Sequence, residues 1–379
     1  MDDPNITTAS AAITLGGLYG NPDGLSMTNC LSVLACAAYF YLADFAQVVI
    51  DFIAQHVTIE TIHHVVHFVD GYDYRQYSDQ LEDECLRFLF AKGVNLPTTL
   101  YRLMPSHWRD RILEADAFWM PSEIDRYRLV RQLYQESKES ERAELATLFE
   151  QAIIYAHMSF NALATVRQDG LVAAETINRA VWDTWHLQER IQNAALAAPI
   201  DVKVEGEVKK SSIAVKTKEE GEHLLFTSPS EETAPLRFGV TFSHEAMEKP
   251  TIKKSPTKAN SIRIDAEATF YAGSDWVLFL HRDLLPDAHQ PWGIFLARAL
   301  AQKDASGHRV PYVDERHHVV ASFKLFCPDL GHEPLYICEK TSFAPSQSWG
   351  IRNDVISDCV TKLMAKSQPI HFTCVIKIL

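Results

Sequence analysis

The 379 residues exceed one ordinary domain, and a composition of 47% hydrophobic and 22% charged residues is enough to bury sizeable cores. The net charge of −13 argues against general binding to nucleic acids or anionic membranes, because phosphate contacts need clustered Lys and Arg. Protein partners are therefore favoured.

The cysteines and the first residues predict an intracellular protein. The 7 cysteines are odd in number, include no C-x-x-C pair and lie mostly in apolar runs, where free cysteine behaves as a small hydrophobic residue. The N-terminus is acidic and lacks the basic region of a secretory signal. Asp44, Gln47 and Asp51 interrupt the apolar stretch 31–54, so no membrane span is expected there. The expected compartment is the cytoplasm or the nucleus.

Residues 15–56 contain a short apolar run and two segments with helical periodicity. The run closes on Leu18, Tyr19 and Gly20, and a polar turn follows. Apolar residues then recur at helical spacing through residues 31–38 and 45–53, which predicts two paired helices.

This succession resembles the closing third of a BTB/POZ domain. The resemblance implies that Leu18 and Tyr19 belong to a strand and are left as an exposed sheet edge in this chain. It also implies that the dimer-forming first helix and first strands of such a domain are missing, so that the chain is N-terminally truncated. Residues 1–57 are accordingly expected to be the C-terminal part of a BTB domain.

Helical periodicity continues from residue 58 to residue 198. The predicted helices cover about 58–71, 77–91, 123–134, 145–166 and 173–195, with Trp182, Trp185, Leu187 and Ile191 packed on the preceding helices. One block resembles the BACK helical region that follows BTB domains, and it consists of Trp108, Ile112, Leu113, Asp116, Phe118, Pro121, Ser122, Glu123, Arg126 and Tyr127. In that family this region is a spacer without catalytic residues.

The composition changes after residue 198. Residues 199–235 are rich in Lys, Glu, Ser, Thr and Pro, which predicts a flexible charged linker, and a second flexible insert is predicted near residues 248–260. Residues 236–379 contain about seven short apolar or alternating runs and one helix near residues 357–365, which predicts an antiparallel β-sandwich. The predicted fold class is therefore α+β, with an all-α part followed by a sandwich.

The predicted sandwich resembles a MATH (TRAF-like) domain. The resemblance rests on Gly273 and Trp276, the strands near Trp292 and Phe323, and an aromatic residue followed by Trp349-Gly350. MATH domains bind extended peptides, and the corresponding residues here would be Trp292, Phe323, Phe343, Trp349 and Ile351. The other interpretation of these side chains is a sandwich core. Trp349 is the strongest single candidate, and the order of domains is reversed relative to the usual MATH-BTB arrangement.

The sequence offers no convincing catalytic or metal site. His63 and His67 have zincin spacing but lack the glutamate that this motif needs, and no third ligand is suggested. His317 and His318 follow an acidic turn without any nucleophile motif, so a surface loop is favoured. Glycine-rich phosphate-binding motifs are absent from the sequence. We expect no enzyme activity, no cofactor and no metal.

Together the resemblances imply a non-catalytic adaptor of a cullin-RING ubiquitin ligase. The BTB part would recruit the cullin scaffold, and the terminal domain would select the protein to be ubiquitylated. A homodimer is conceivable, although the dimer-forming BTB part is missing. The alternative is a scaffold or regulatory protein that binds a partner through its C-terminal sandwich without ubiquitin chemistry. A hydrolase within the sandwich is a third interpretation that no motif supports.

Overall fold

The fold was analysed in a computed structural model of the full chain. It describes residues 3–19, 24–196, 234–248, 251–253, 260–284, 291–300, 313–314 and 316–379. The predicted linker 199–235 lies outside these residues except for its last two positions.

The N-terminal half of the described chain is helical. Its α-helices are α1 (Thr8–Leu18), α2 (Cys30–Tyr39), α3 (Ala43–His56), α4 (Ile62–Gly71), α5 (Gln76–Lys92), α6 (Thr98–Leu103), α7 (Ser106–Glu114), α8 (Glu123–Glu136), α9 (Glu139–Gln151), α10 (Phe160–Asp169) and α11 (Ala174–Leu196), with a 3-10 turn at Gly93–Asn95. The predicted helix pair is confirmed as α2 and α3, and α5 and α8 match their predicted positions within a few residues. None of the described helices is both long enough and apolar enough to cross a membrane.

The predicted strand at Leu18 and Tyr19 is wrong, because this run is the end of α1. A capping box between Thr7 and Ser10 starts the helix: the Thr7 side chain accepts from Ser10 N–H, and the Ser10 hydroxyl accepts from Thr7 N–H. The apolar run therefore continues as a helix and not as a strand. Tyr19 is 90% exposed at its end.

The last helix, α11, joins two separate cores. Ile177 and Ala180 belong to the hydrophobic core of the helices, whereas Leu187 and Ile191 belong to the core of the β region. The predicted burial of Trp182 and Trp185 is wrong, since both lie on the solvent-facing side of α11. The helix buries only one face, and the tryptophans fall on the other one.

The C-terminal half forms two antiparallel sheets. Its strands are β1 (Leu236–Phe242), β2 (Thr251–Lys253), β3 (Asn260–Asp265), β4 (Thr269–Tyr271), β5 (Ser274–Leu284), β6 (Gly293–Leu300), β7 (Val319–Phe326), β8 (Tyr336–Phe343), β9 (Ser348–Arg352) and β10 (Ile370–Ile378), with the helices α12 (His244–Glu248) and α13 (Asp354–Ala365). The first sheet has the order β1-β10-β7-β8, and the second has the order β2-β3-β5-β6-β9 with β4 paired to β5. The α+β class is thus confirmed at the level of a helical region followed by open antiparallel sheets.

One hydrophobic cluster contains residues from both sheets. Phe238 and Phe323 of the first sheet share it with Trp276 and Leu296 of the second. Two short strands were missed by the sequence interpretation. The strand β2 falls inside the predicted insert, and β9 contains Gly350, a residue that normally weakens a strand.

The sheet β1-β10-β7-β8 is attached to the helices through β1. The Arg237 side chain, only 5% exposed, donates from Nε to Glu123 Oε1 at 2.6 Å and from Nη1 to Asp116 Oδ1 at 3.1 Å. Trp119 Nε1 donates to Val240 O, and Gly239 N–H donates to Pro121 O. A Cβ atom at Gly239 would lie 2.2 Å from Met120 O, so only glycine allows this approach. The segment around Trp119 therefore packs along the free edge of β1.

Candidate partner-binding surfaces

The five predicted groove residues do not lie on one surface. Trp292, Phe323 and Phe343 are buried in the β core, as the alternative interpretation proposed. Ile351 is partly buried against that core. Trp349 is 38% exposed, and its Nε1 donates to Ser342 O on β8, so it connects the neighbouring edges of the two sheets. The predicted role of Trp349 and Ile351 in partner binding stays a prediction.

An open groove lies on the outer face of the second sheet, opposite to the core. It has a volume of about 340 Å³. The residues that line it are Arg263, Phe279, His281, Phe295, Ser348 and Arg352. We call it the arginine–phenylalanine groove.

Strand register explains why these residues meet. Phe279 on β5 lies opposite Phe295 on β6, which lies opposite Gly350 on β9. The two phenylalanine rings are stacked with centroids 5.5 Å apart. Together the two rings form the floor of the groove.

The guanidinium groups of two arginines lie over these phenylalanine rings. The guanidinium carbon of Arg263 lies 3.6 Å from the Phe279 ring centroid, and that of Arg352 lies 5.9 Å from the Phe295 centroid. Arg263 donates to Asp265 Oδ1 from Nε alone, and no hydrogen bond from its Nη atoms occurs within the described residues. Arg352 donates to Asp283 and contacts His281. Phe279 is only 4% exposed beneath Arg263, so the apolar surface of the groove comes from Phe295, and the guanidinium groups add donors for a ligand's oxygen atoms.

Sequence interpretation missed this groove. Alternation along β5 and β6 does place Phe279 and Phe295 on the face opposite to Leu280 and Leu296, which was the available signal. An apolar residue on the outer face of a half-buried strand indicates either a binding site or a covered face.

The first three helices expose a second apolar surface. Large exposed apolar side chains include Leu18 and Tyr19 at the end of α1, Tyr41 between α2 and α3, and Val48 on α3. At Gly17, a Cβ atom would lie 2.2 Å from the Phe45 ring, so the end of α1 sits against the start of α3. This places Leu18 and Tyr19 near the turn that carries Tyr41. The predicted exposure of Leu18 and Tyr19 is confirmed, although they end a helix.

A cleft of about 630 Å³ lies where the helices meet β1. His157 forms part of its wall, with Nε2–H donating to Ala234 O at 2.8 Å and the ring edge-on to Tyr271 at 4.8 Å. Burial lowers the pKa of His157, against the raising effects of the Ala234 carbonyl and Asp183. The neutral imidazole is thus the form that this packing favours.

The lowered pKa of His157 predicts a loss of stability in mild acid. The unfolded chain binds the proton near the ordinary pKa of about 6.5, while the folded chain binds it only at lower pH. The contribution of neutral His157 to the free energy of unfolding is therefore fully present above about pH 6.5 and is lost as the pH falls below it. Between about pH 7 and pH 5, we expect the urea midpoint of His157→Asn to fall less than that of wild type. Asparagine suits the left-handed backbone of residue 157, with φ 74°.

The matched control for this prediction is His317→Asn, which changes an exposed histidine in a loop. This variant should keep the wild-type dependence on pH. Equal slopes for wild type and His157→Asn would show that His157 does not contribute.

The other candidate histidines lie in two separate parts of the fold. His63 and His64 contact each other through their rings, while His67 Nε2 faces the carbonyl oxygen of Leu103. His317 and His318 are exposed, as predicted for a surface loop, and His318 Nδ1 lies 3.2 Å from Ser342 Oγ. Within the part of the chain that the structure describes, no three His, Cys, Asp or Glu residues are grouped to hold a metal ion.

No protein-family model matches the chain, and no curated protein matches it. The resemblances to BTB, BACK and MATH domains therefore stay expectations.

Proposed function

We propose that this chain is a non-catalytic adaptor that binds a partner protein through the arginine–phenylalanine groove. In the preferred form of this proposal, it is the substrate-recognition subunit of a cullin-RING ubiquitin ligase, with a BTB-like and a BACK-like region before a MATH/TRAF-like sandwich. The observation that carries the proposal is the pair of stacked phenylalanines under two arginines on an open sheet face. Aromatic and arginine side chains are enriched among the residues that dominate binding energy at protein interfaces.

The proposed arrangement needs two separate contact surfaces. The groove would hold the selected protein, and the exposed apolar side chains of α1 to α3 would contact the cullin scaffold. Leu18, Tyr19 and Tyr41 support this assignment because exposed apolar patches mark interaction sites. The sandwich in this proposal is supported by the hydrophobic cluster that contains residues from both sheets.

Proximity labelling in cells with the full chain tests the proposal. We expect labelled proteins to include a cullin and at least one protein that is lost when Arg263→Ser and Phe295→Ser are combined. Removing one binding hot spot costs at least about 2 kcal/mol, which corresponds to roughly 30-fold weaker binding of that protein. The cullin should be recovered equally with wild type and variant, since its proposed surface lies on the helices.

The matched control combines Ile337→Ser and Lys340→Ser on β8. This pair likewise removes one apolar and one basic side chain, both of them exposed, from the other sheet. It should leave the labelled set unchanged. If the groove variant and the control retain the same proteins, the groove does not select partners.

The alternative function is a scaffold or regulatory protein that uses the same groove without ubiquitin chemistry. Recovery of groove-dependent proteins without any cullin would favour this alternative. A pull-down of purified cullin with this chain and with a version extended upstream gives an independent comparison. Binding by the extended version alone would show that the 379 residues do not act as a ligase adaptor.

A further inference from the structure

Two buried thiols meet where α13 packs on the β core. Cys327 directly follows β7, and Cys359 lies in the middle of α13. Their Sγ atoms are 4.0 Å apart and share a hydrogen bond. All seven cysteines lie within the described residues as free thiols, and no other two of them share a hydrogen bond between their sulfur atoms. We call Cys327 and Cys359 the thiol pair.

The thiol pair joins elements that belong to different sheets. Cys327 ends a strand of the first sheet, whereas α13 follows β9 of the second sheet and begins where Asn353 accepts a hydrogen bond from Ile356 N–H. Ile356 and Val360 bury the same side of α13 in the β core. The two cysteines are 32 positions apart, so a bond between them would close a loop that contains all of β8 and β9. Such a bond would fix α13 to the end of β7.

The two sulfur atoms differ in their surroundings. Cys359 is 6% exposed, whereas Cys327 is only 1% exposed. The hydrogen bond to Cys359 and burial raise the pKa of the Cys327 thiol, so this thiol stays protonated. A small oxidant therefore reaches Cys359 first, and the Cys327 sulfur is already in contact with it. The two sulfur atoms have to approach each other by about 2 Å, since a disulfide bond is about 2.05 Å long.

We propose that the thiol pair is a reversible redox site that forms a disulfide in the folded chain when hydrogen peroxide is the oxidant. Cys359 Sγ attacks one peroxide oxygen, the O–O bond breaks, and the thiol proton leaves with the released hydroxide as water. Cys327 Sγ then attacks the resulting sulfenic acid, the S–S bond forms, the S–O bond breaks, and a second water leaves. The two thiols are thereby oxidised by two electrons, and the peroxide is reduced to two waters. A thiol reductant restores the pair by exchange, which suits the transient, redox-sensing role of most cytosolic disulfides.

Peptide mass spectrometry of the full chain before and after peroxide treatment tests this proposal. Free thiols are alkylated in denaturant, and the chain is digested without a reductant. We expect the cross-linked Cys327–Cys359 peptide to become the main form of both cysteines after peroxide and to be lost after dithiothreitol. The matched control is Cys374→Ala, which removes another buried thiol of the same core and should keep the cross-link. Circular dichroism of each variant verifies that it is folded.

Single replacements test the order of the two steps. In Cys327→Ala, the sulfenic acid on Cys359 has no second thiol to attack it and should be labelled by dimedone. In Cys359→Ala, Cys327 should take up much less label. A wild-type chain that keeps both thiols free after peroxide would overturn the proposal. So would a main cross-link to Cys338, the one cysteine that is not buried, or equal labelling of the two variants.

Discussion

Replacing Arg237 by methionine is expected to destabilise the folded chain by about 3 to 5 kcal/mol. The guanidinium donates to Glu123, Asp116 and the Ala152 carbonyl oxygen. Burial alone would lower the pKa of Arg237, but Glu123 and Asp116 outweigh it and raise the pKa, so the charged form is held firmly. The variant leaves the Glu123 carboxylate buried, and among the described residues Ile154 N–H is then its remaining hydrogen-bond donor. Removing one member of a buried ion pair costs far more than the pair contributes.

Urea-induced unfolding of the full chain, followed by circular dichroism, measures this loss. Arg128→Met is the matched control, because Arg128 forms an ion pair with Asp125 on the same helix as Glu123 but is 61% exposed at its side chain. Exposed pairs of this kind contribute about 1 kcal/mol or less. Combining Arg237→Met with Glu123→Leu should cost less than the sum of the single changes, since the Glu123 carboxylate is then no longer left buried without its partner. Equal effects of Arg237→Met and Arg128→Met would contradict the assigned role.

Trp276→Ala is the second change with a large expected effect, about 3 to 5 kcal/mol of destabilisation. Trp276 is fully buried on β5, and its Nε1 donates to Tyr271 O at 3.0 Å. Its ring packs edge to face on Phe343 of the other sheet, with centroids 5.0 Å apart. The variant creates a cavity between the two sheets and leaves the Tyr271 carbonyl oxygen without this donor.

Two companion variants separate packing from hydrogen bonding at this position. Trp276→Phe keeps most of the volume and should cost about 1 to 3 kcal/mol, largely for the lost hydrogen bond from Nε1 to Tyr271 O. Trp349→Ala removes an exposed tryptophan that also donates to a carbonyl oxygen, and it should cost about 1 kcal/mol. Unfolding in urea gives the loss in free energy of unfolding for each of the three variants. A loss for Trp349→Ala that exceeds those of both Trp276 variants would contradict these expectations.

The positions of most helices and strands were predictable because they depend on local patterns. The apolar spacing in α3 and the alternation in β7 are visible within 14 and 8 residues, respectively. The end of α1 was not predictable in this way. Its run of alanine and leucine suits several structures, and the capping box at Thr7 and Ser10 decides for a helix.

The surfaces were harder to predict because they combine distant residues. The arginine–phenylalanine groove joins Arg263 to Arg352 across 89 positions of sequence through three strand pairings. The predicted groove residues came from the resemblance to MATH domains. Aromatic residues in strands divide between core and surface according to the face they occupy. Trp292 and Phe323 face the core, whereas Phe295 faces outward.

The sequence by itself determined the α+β class, the location of most elements and the acidic character that disfavours nucleic acid. Only the tertiary structure decided which polar groups are buried and which aromatic ones are exposed. In the strand Leu236–Phe242, alternation marks Arg237 as an outward residue, yet Glu123 from 114 positions away covers it. On α11, Trp182 and Trp185 have the size of core residues but lie outside both cores. Burial depends on what packs against a face, and that partner is brought by the fold from a distant part of the chain.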